Sequence, residues 1–121
     1  MTGAMVVRWN NAQPGREGKA LETFSKALAY WEHLAKQGRI HAHHEYFALT
    51  GKNNGFAIIE GQVDELLKIQ TEEQTIRLNT EASLNVEGFA VDTYVGGSDA
   101  TIQQQIGIYG EVLVEQGLVG A

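Results

Sequence analysis

The chain has 121 residues, 43% of them hydrophobic, a formal net charge of −6 and no cysteine. That is enough for one domain, residues 1–121, burying roughly two-thirds of its unfolded surface, and the missing thiols exclude disulfides, thiolate metal sites and cysteine nucleophiles. The nine Lys and Arg are scattered, with nothing denser than Arg16/Lys19 or Lys36/Arg39, and the opening MTGAMVV has neither a basic stretch nor a long apolar run; no nucleic-acid or membrane partner is expected, and a cytoplasmic protein is.

Met5 to Trp9 is a β-rich run that ends at Asn10-Asn11, with Pro14-Gly15 beyond it, which predicts a strand, a loop and a helix start. From Arg16 to Gln37 the residues Leu21, Phe24, Leu28, Trp31 and Ala35 recur at spacings of three and four, the stripe of a helix with a buried face. Gly38 supplies a left-handed stop. Ile40 to Leu49, IHAHHEYFAL, carries three of the four histidines. As a strand it places His41, His43, Glu45, Phe47 and Leu49 on one face and Ile40, Ala42, His44, Tyr46 and Ala48 on the other.

The turn-forming TGKNNG then leads into Phe56–Glu60, an apolar run too short for a helix, so the pair reads as a hairpin. Val63, Leu66, Leu67 and Ile69 mark a second helix. Thr71-Glu72-Glu73-Gln74 has the form of a capping box, which predicts a break near Gln70 and a fresh helical segment to about Ser83, with Ile76, Leu78 and Ala82 available for burial. Val86 to Val95 is the fourth strand, with Phe89, Val91, Thr93 and Val95 opposite Gly88, Ala90, Asp92 and Tyr94. Gly96-Gly97 ends it, and Ser98 caps a last helix with the stripe Ile102, Ile106, Tyr109 and Leu113.

The order is β-α-β-β-α-β with a C-terminal helix: an α+β, ferredoxin-like arrangement of four mostly antiparallel strands with helices on one face. A bare second face should be polar in a soluble monomer. Here Phe56 and Ile58 stand against Ala57 and Ile59, and Phe89 and Val91 against Ala90 and Tyr94, so both faces are apolar. The expected cover is a second copy packed sheet to sheet, a homodimer.

The element order, the GRI junction at Gly38 to Ile40, the hairpin into FAIIEG and the VDELLKIQTEEQ passage together resemble the dimeric α/β-barrel superfamily. The resemblance implies relatives that include cofactor-independent monooxygenases acting on polycyclic phenols, small lactone isomerases, haem-dependent enzymes and many uncharacterised proteins. The similar YCII-like branch keeps a histidine early in helix one with a partner aspartate; the helix-one histidine here, His33, is late, and no catalytic residue carries over.

Several groups could bear chemistry. His41, His43 and Glu45 form H-x-H-x-E on one strand face, about 7 Å between neighbouring positions, a donor set suited to zinc or non-haem iron but equally ordinary as polar residues of an edge strand, and no metal is assigned. His44, beside Tyr46, reads as a semi-buried, satisfied histidine. Asp92 and Tyr94 share a face and, with Arg8, Trp9, Tyr46 and Phe56, could line an aromatic pocket or fill a dimer core. No phosphate loop or serine nucleophile elbow is present. The expectation is a homodimer that binds a small apolar or aromatic molecule between sheet and helices. If it is catalytic, it performs proton transfer of monooxygenase or isomerase type without an organic cofactor, drawing on His41, His43, His44 and Asp92 with Trp9, Tyr46, Phe56 and Tyr94 around the ligand. The competing expectation is a non-catalytic binding or assembly module, in which the cavity is filled.

Overall fold

The computed structural model describes residues 1–50 and 54–118. Its elements are β1 (Thr2–Trp9), α1 (Glu17–Lys36), β2 (Ala42–Phe47), β3 (Gly55–Gln62), α2 (Val63–Gln70), α3 (Glu73–Asn85), β4 (Ala90–Val95) and α4 (Asp99–Glu115). The four strands form one antiparallel sheet in the order β2-β3-β1-β4, so the central strands are the two longest and most apolar. Of the predicted turn TGKNNG, residues 51–53 lie outside the described ones, but Ala48 N–H donates to the Asn54 carbonyl at 2.9 Å and closes the hairpin.

Strand alternation divides the side chains cleanly. Met5, Val7, Ala57 and Ile59 are buried on the face that α1, α2 and α3 cover. Against them pack Leu34 and Trp31 of α1 and Leu66 and Ile69 of α2, each such side chain contributing about 1.5–3 kcal/mol by leaving water. The buried stripe of α1 is Thr23, Ala27, Tyr30, Trp31 and Leu34, rotated from the one the sequence predicts. Hydroxyls can be buried there because they find partners: Tyr30 Oη lies 2.7 Å from Thr75 Oγ1, and Asn85 donates to Thr23 Oγ1 at 3.1 Å. Leu21, by contrast, is 68% exposed.

Gly38, at φ +73°, ends α1 in a Schellman turn: Arg39 N–H donates to the Leu34 carbonyl and Gly38 N–H to that of Ala35, both at 3.0 Å. The turn delivers Arg39 to α2 and α3, where its guanidinium meets Glu65 at 2.7 Å and also Glu72. Hydrogen bonds to Glu72 and then Glu65 hold the guanidinium pKa above its ordinary value.

That contact also replaces the predicted capping box. Thr71 is still helical and its hydroxyl donates back to the Lys68 carbonyl at 3.0 Å. Extended Glu72 is the N-cap of α3, without a side-chain cap, its carboxylate being held by Arg39. The chain does break after Gln70 as the sequence suggests. Ile76 is 51% exposed, while Leu78 and Ala82 are half-buried. The fourth strand starts late, at Ala90, because Gly88 turns the chain at φ +61°.

Ser98 caps α4 as predicted, accepting from Thr101 N–H at 3.3 Å. Thr2 ties that first turn down: its N–H donates to Thr101 Oγ1 at 2.9 Å, and its own hydroxyl lies 2.8 Å from Ser98 Oγ. Beyond it Ile106, Ile108, Tyr109, Val112 and Val114 are exposed, so Ile106 and Tyr109 of the predicted stripe are left open to solvent, while Leu113 is half-buried. No helix among the described residues is long and apolar enough to cross a membrane.

Candidate functional site

Between the sheet and the α1–α3 pair lies a cavity of about 370 Å³, within the range of small-molecule sites. Its wall is aromatic: Trp9, Phe24, Trp31, Phe47 and Phe89. Trp9, Phe24 and Phe47 form a mutual cluster with ring centroids 5.3–5.9 Å apart, in tilted and edge-to-face geometries that favour aromatic pairs. The chain can open a space here because inward positions near one end of three strands carry rings while Ala20, Ala27 and Ala82 stand opposite on the helices. Gly55 helps to seat Trp9: a Cβ there would come within 2.9 Å of the indole and 2.2 Å of the Tyr46 carbonyl, so no larger residue fits without displacing one of them.

Two wall residues carry amides without a side-chain hydrogen bond among the described residues, Asn10 at the exposed rim and Asn79 deeper in the wall. Asn79, half-buried on α3, lines the cavity, and no described residue hydrogen-bonds its side chain. It offers one acceptor and two donors to an occupant. Thr23 also lines the space but is already tied to Asn85, and Glu17 stands at the exposed rim.

Of the residues singled out from the sequence, Trp9 lines this cavity; His41, His43, His44, Tyr46, Phe56, Asp92 and Tyr94 do not. Five of them, His44, Tyr46, Phe56, Asp92 and Tyr94, share the opposite, open face. There Tyr46 and Phe56 stack at 5.0 Å, and Arg8 bonds Asp92 at 3.1 Å and the Tyr94 hydroxyl at 3.2 Å. The open face thus unites Arg8 with Asp92 and Tyr94 but separates all three from Trp9. His44 sits there too, its side chain 49% exposed and 3.9 Å from Glu60, so it is a half-solvated histidine rather than a semi-buried one. His41 precedes β2 and borders a separate shallow pocket with Glu60 and Tyr94.

His43 alone of the three faces the helices, its side chain 12% exposed. Its Nδ1 meets Glu45 of the same strand, its Nε2 lies 2.5 Å from Glu32 Oε1 on α1, and its ring lies 6.2 Å from that of Trp31. Burial pushes this imidazole down, but the hydrogen bonds to Glu45 and Glu32 outweigh it and hold the pKa above the ordinary value. The two carboxylates occupy opposite ring nitrogens and diverge, and the described residues contain no group of three or more side chains placed to hold a metal ion. His41, out of the strand, does not join them.

Phe24 and Trp31 read from the sequence as helix core, and Phe47 and Phe89 as strand residues of no special role. The available signal was topological: in an antiparallel sheet of this order the ends of β1 and β2 and the start of β4 coincide, which brings Trp9, Phe47 and Phe89 together. Asn79 had only a weak marker, an amide in mid-helix where such side chains are disfavoured.

No protein-family model and no curated protein matches the chain. Solved structures do. SnoaB, a cofactor-independent oxygenase from Streptomyces nogalater, aligns with a TM-score of 0.61 at 11% identity, over 81% of this chain and 96% of that one. A dimeric protein of unknown function and ferredoxin-like fold from Bacteroides fragilis aligns at 0.56 and 12%, over 77% and 94%. A conserved protein from Methanosarcina mazei aligns at 0.60 and 14%, over 78% and 92%. At these identities the likeness shows the fold alone, the ferredoxin-like α+β arrangement.

Proposed function

We propose that the protein is a homodimer that binds a compact aromatic or otherwise apolar molecule, bearing one hydrogen-bonding group, in the cavity under α1 and α3. The observation that carries this reading is the open, ring-walled space of about 370 Å³ with the unengaged amide of Asn79 in its wall; an assembly module with no ligand has no use for an unfilled core. Dimerisation is supported by the open sheet face, where Tyr46, Phe56 and Tyr94 are each 40–49% exposed, and by the dimeric Bacteroides fragilis neighbour. The chain's two tryptophans, Trp9 and Trp31, both line the cavity. Titration with N-phenyl-1-naphthylamine should therefore quench their emission saturably, and Asn79→Leu should weaken a hydroxylated ring such as 1-naphthol more than naphthalene itself. Native mass spectra should show a dimer, with any retained occupant as added mass; a monomer with no saturable probe binding overturns the reading.

The SnoaB likeness favours a second reading, cofactor-independent oxygenation. In it an activated ring CH₂ loses a proton to a protein base and is oxidised by O₂ to a carbonyl, with release of water. The base is drawn from the β2 histidines or Asp92, of which His43, packed on the cavity-wall residue Trp31, is best placed. Oxygen uptake with an anthrone-type phenol, lost in His43→Ala, tests it; uptake no faster than without protein rejects it.

A further inference from the structure

We propose that Glu32, His43 and Glu45 form a pH-responsive latch between α1 and the edge strand β2, closed in acid and released in alkali, that sets how tightly the cavity's aromatic wall is shut. This rests on the cavity being a ligand site.

β2 pairs with β3 alone and occupies an edge of the sheet, so its other restraint is what reaches it from α1. Two contacts reach it: Phe24 against Phe47, ring centroids 5.3 Å apart, and a row at His43, with Trp31 against its ring and Glu32 Oε1 2.5 Å from Nε2. Both attachments are coupled to the wall. Trp31 is itself a lining residue next to Glu32, and Phe47, two positions beyond Glu45 on the same strand face, is another.

The chemistry of imidazole makes the arrangement conditional. A ring with a carboxylate oxygen on each nitrogen can donate to both only as imidazolium; the neutral ring has one N–H and one lone pair. The raised pKa of His43 agrees with the doubly bonded form. Loss of the proton sets a lone pair against a carboxylate, and one arm must let go. Glu32 is the arm that yields: its side chain is 59% exposed and hydrates readily, whereas Glu45 is 18% exposed and belongs to the same strand as His43. Among the described residues the charges acting on the ring are these two; β3 presents Ile59 at the paired position, α1 adds the uncharged indole of Trp31, and Glu60 lies on the open face with His44. Release leaves β2 held to α1 by ring contacts alone, Phe24 on Phe47 and Trp31 on His43, so the wall between Trp31 and Phe47 parts more readily.

The test separates the latch from the ligand. In a Trp9→Phe background, Trp31 is the remaining indole, and an adjacent imidazolium quenches it by accepting an electron. Its emission, read without ligand from about pH 5.5 to about pH 9, across and above the ordinary imidazole range, should rise in one step. The midpoint should match the His43 ring signal in NMR, fall in Glu32→Gln and vanish in His43→Gln. With Trp9 restored, N-phenyl-1-naphthylamine, which carries no charge over that range, should associate several-fold faster above the midpoint, and His43→Gln should be fast at every pH. A flat Trp31 profile, or the same step in His43→Gln, overturns the latch whether or not the probe binds. A Trp31 step with no probe binding at any pH would falsify the ligand reading, and with it the latch's control of access. A step with pH-independent association also overturns control of access.

Discussion

The two faces of the sheet are made from the same four strands, often from adjacent residues, and they do different work. Ile59 points under the helices and is fully buried, while its neighbour Ile58 points to the open face and is only half covered. His43 and His44 divide in the same way, one clamped between carboxylates and the other half in solvent. The inner face is completed within the chain except for a cavity. The open face, with its stacked Tyr46 and Phe56 beside the Arg8–Asp92–Tyr94 group, is completed by nothing among the described residues. Inner-face residues should therefore govern the stability of one chain, and open-face residues the association of two.

Ile58→Lys gives the largest expected effect. A charge at the centre of the proposed interface has no partner and must be desolvated, so the dimer should dissociate to a folded monomer at micromolar concentration, seen by analytical ultracentrifugation with unchanged circular dichroism. A dimer of wild-type affinity would show that the open face is not the contact.

Next comes Ile59→Ala, one residue along. It leaves a void against Leu66 and Met5 in the core, and such truncations cost about 2–5 kcal/mol. Urea unfolding in the Ile58→Lys background, which keeps the measurement unimolecular, should show that loss at every protein concentration. A loss below about 1 kcal/mol would mean the site collapses around the gap.

Much of this contrast could be read before the structure. Period-two alternation gave β2, β3 and β4 their faces, and the apolar residues on both sides of β3 and β4 announced an incomplete second face. Which face met the helices was not legible, because both carry rings: Trp9 and Phe47 on one, Tyr46 and Phe56 on the other. That ambiguity separated the expected site into Trp9, which lines the cavity, and Asp92 and Tyr94, which lie behind the sheet. The α1 stripe misled for a related reason. Two of its apolar residues, Leu21 and Phe24, face the cavity and its rim rather than the packed core, whereas Thr23 and Tyr30 are buried through hydroxyl partners that lie 62 and 45 residues away. Local pattern carries no information about partners so distant in sequence.

The histidines provide a smaller effect with a sign. His43 has its pKa raised in the folded state, so its stabilising contribution is complete below the unfolded value near 6.5 and is lost as pH rises through the raised folded value. The stability difference between Ile58→Lys and Ile58→Lys/His43→Gln should accordingly be greatest in mild acid and shrink toward alkaline pH. A difference that grew with pH would mean that His43 is held neutral.

His44→Gln should do least. Its imidazole is half exposed and 3.9 Å from an equally exposed Glu60 carboxylate, and such pairs are worth about 0–1 kcal/mol, the charges being hydrated with or without each other. In the monomeric background the substitution should leave the urea midpoint nearly unchanged. The result sharpens when His44→Gln is placed on the wild-type chain, because the proposed dimer would bury His44 and Glu60 together and remove the water that screens them. A cost present in the dimer and absent in the monomer would locate His44 within the interface. A cost present in both would mean that the open face already holds this side chain in the single chain, and that the two faces differ less than their exposure indicates.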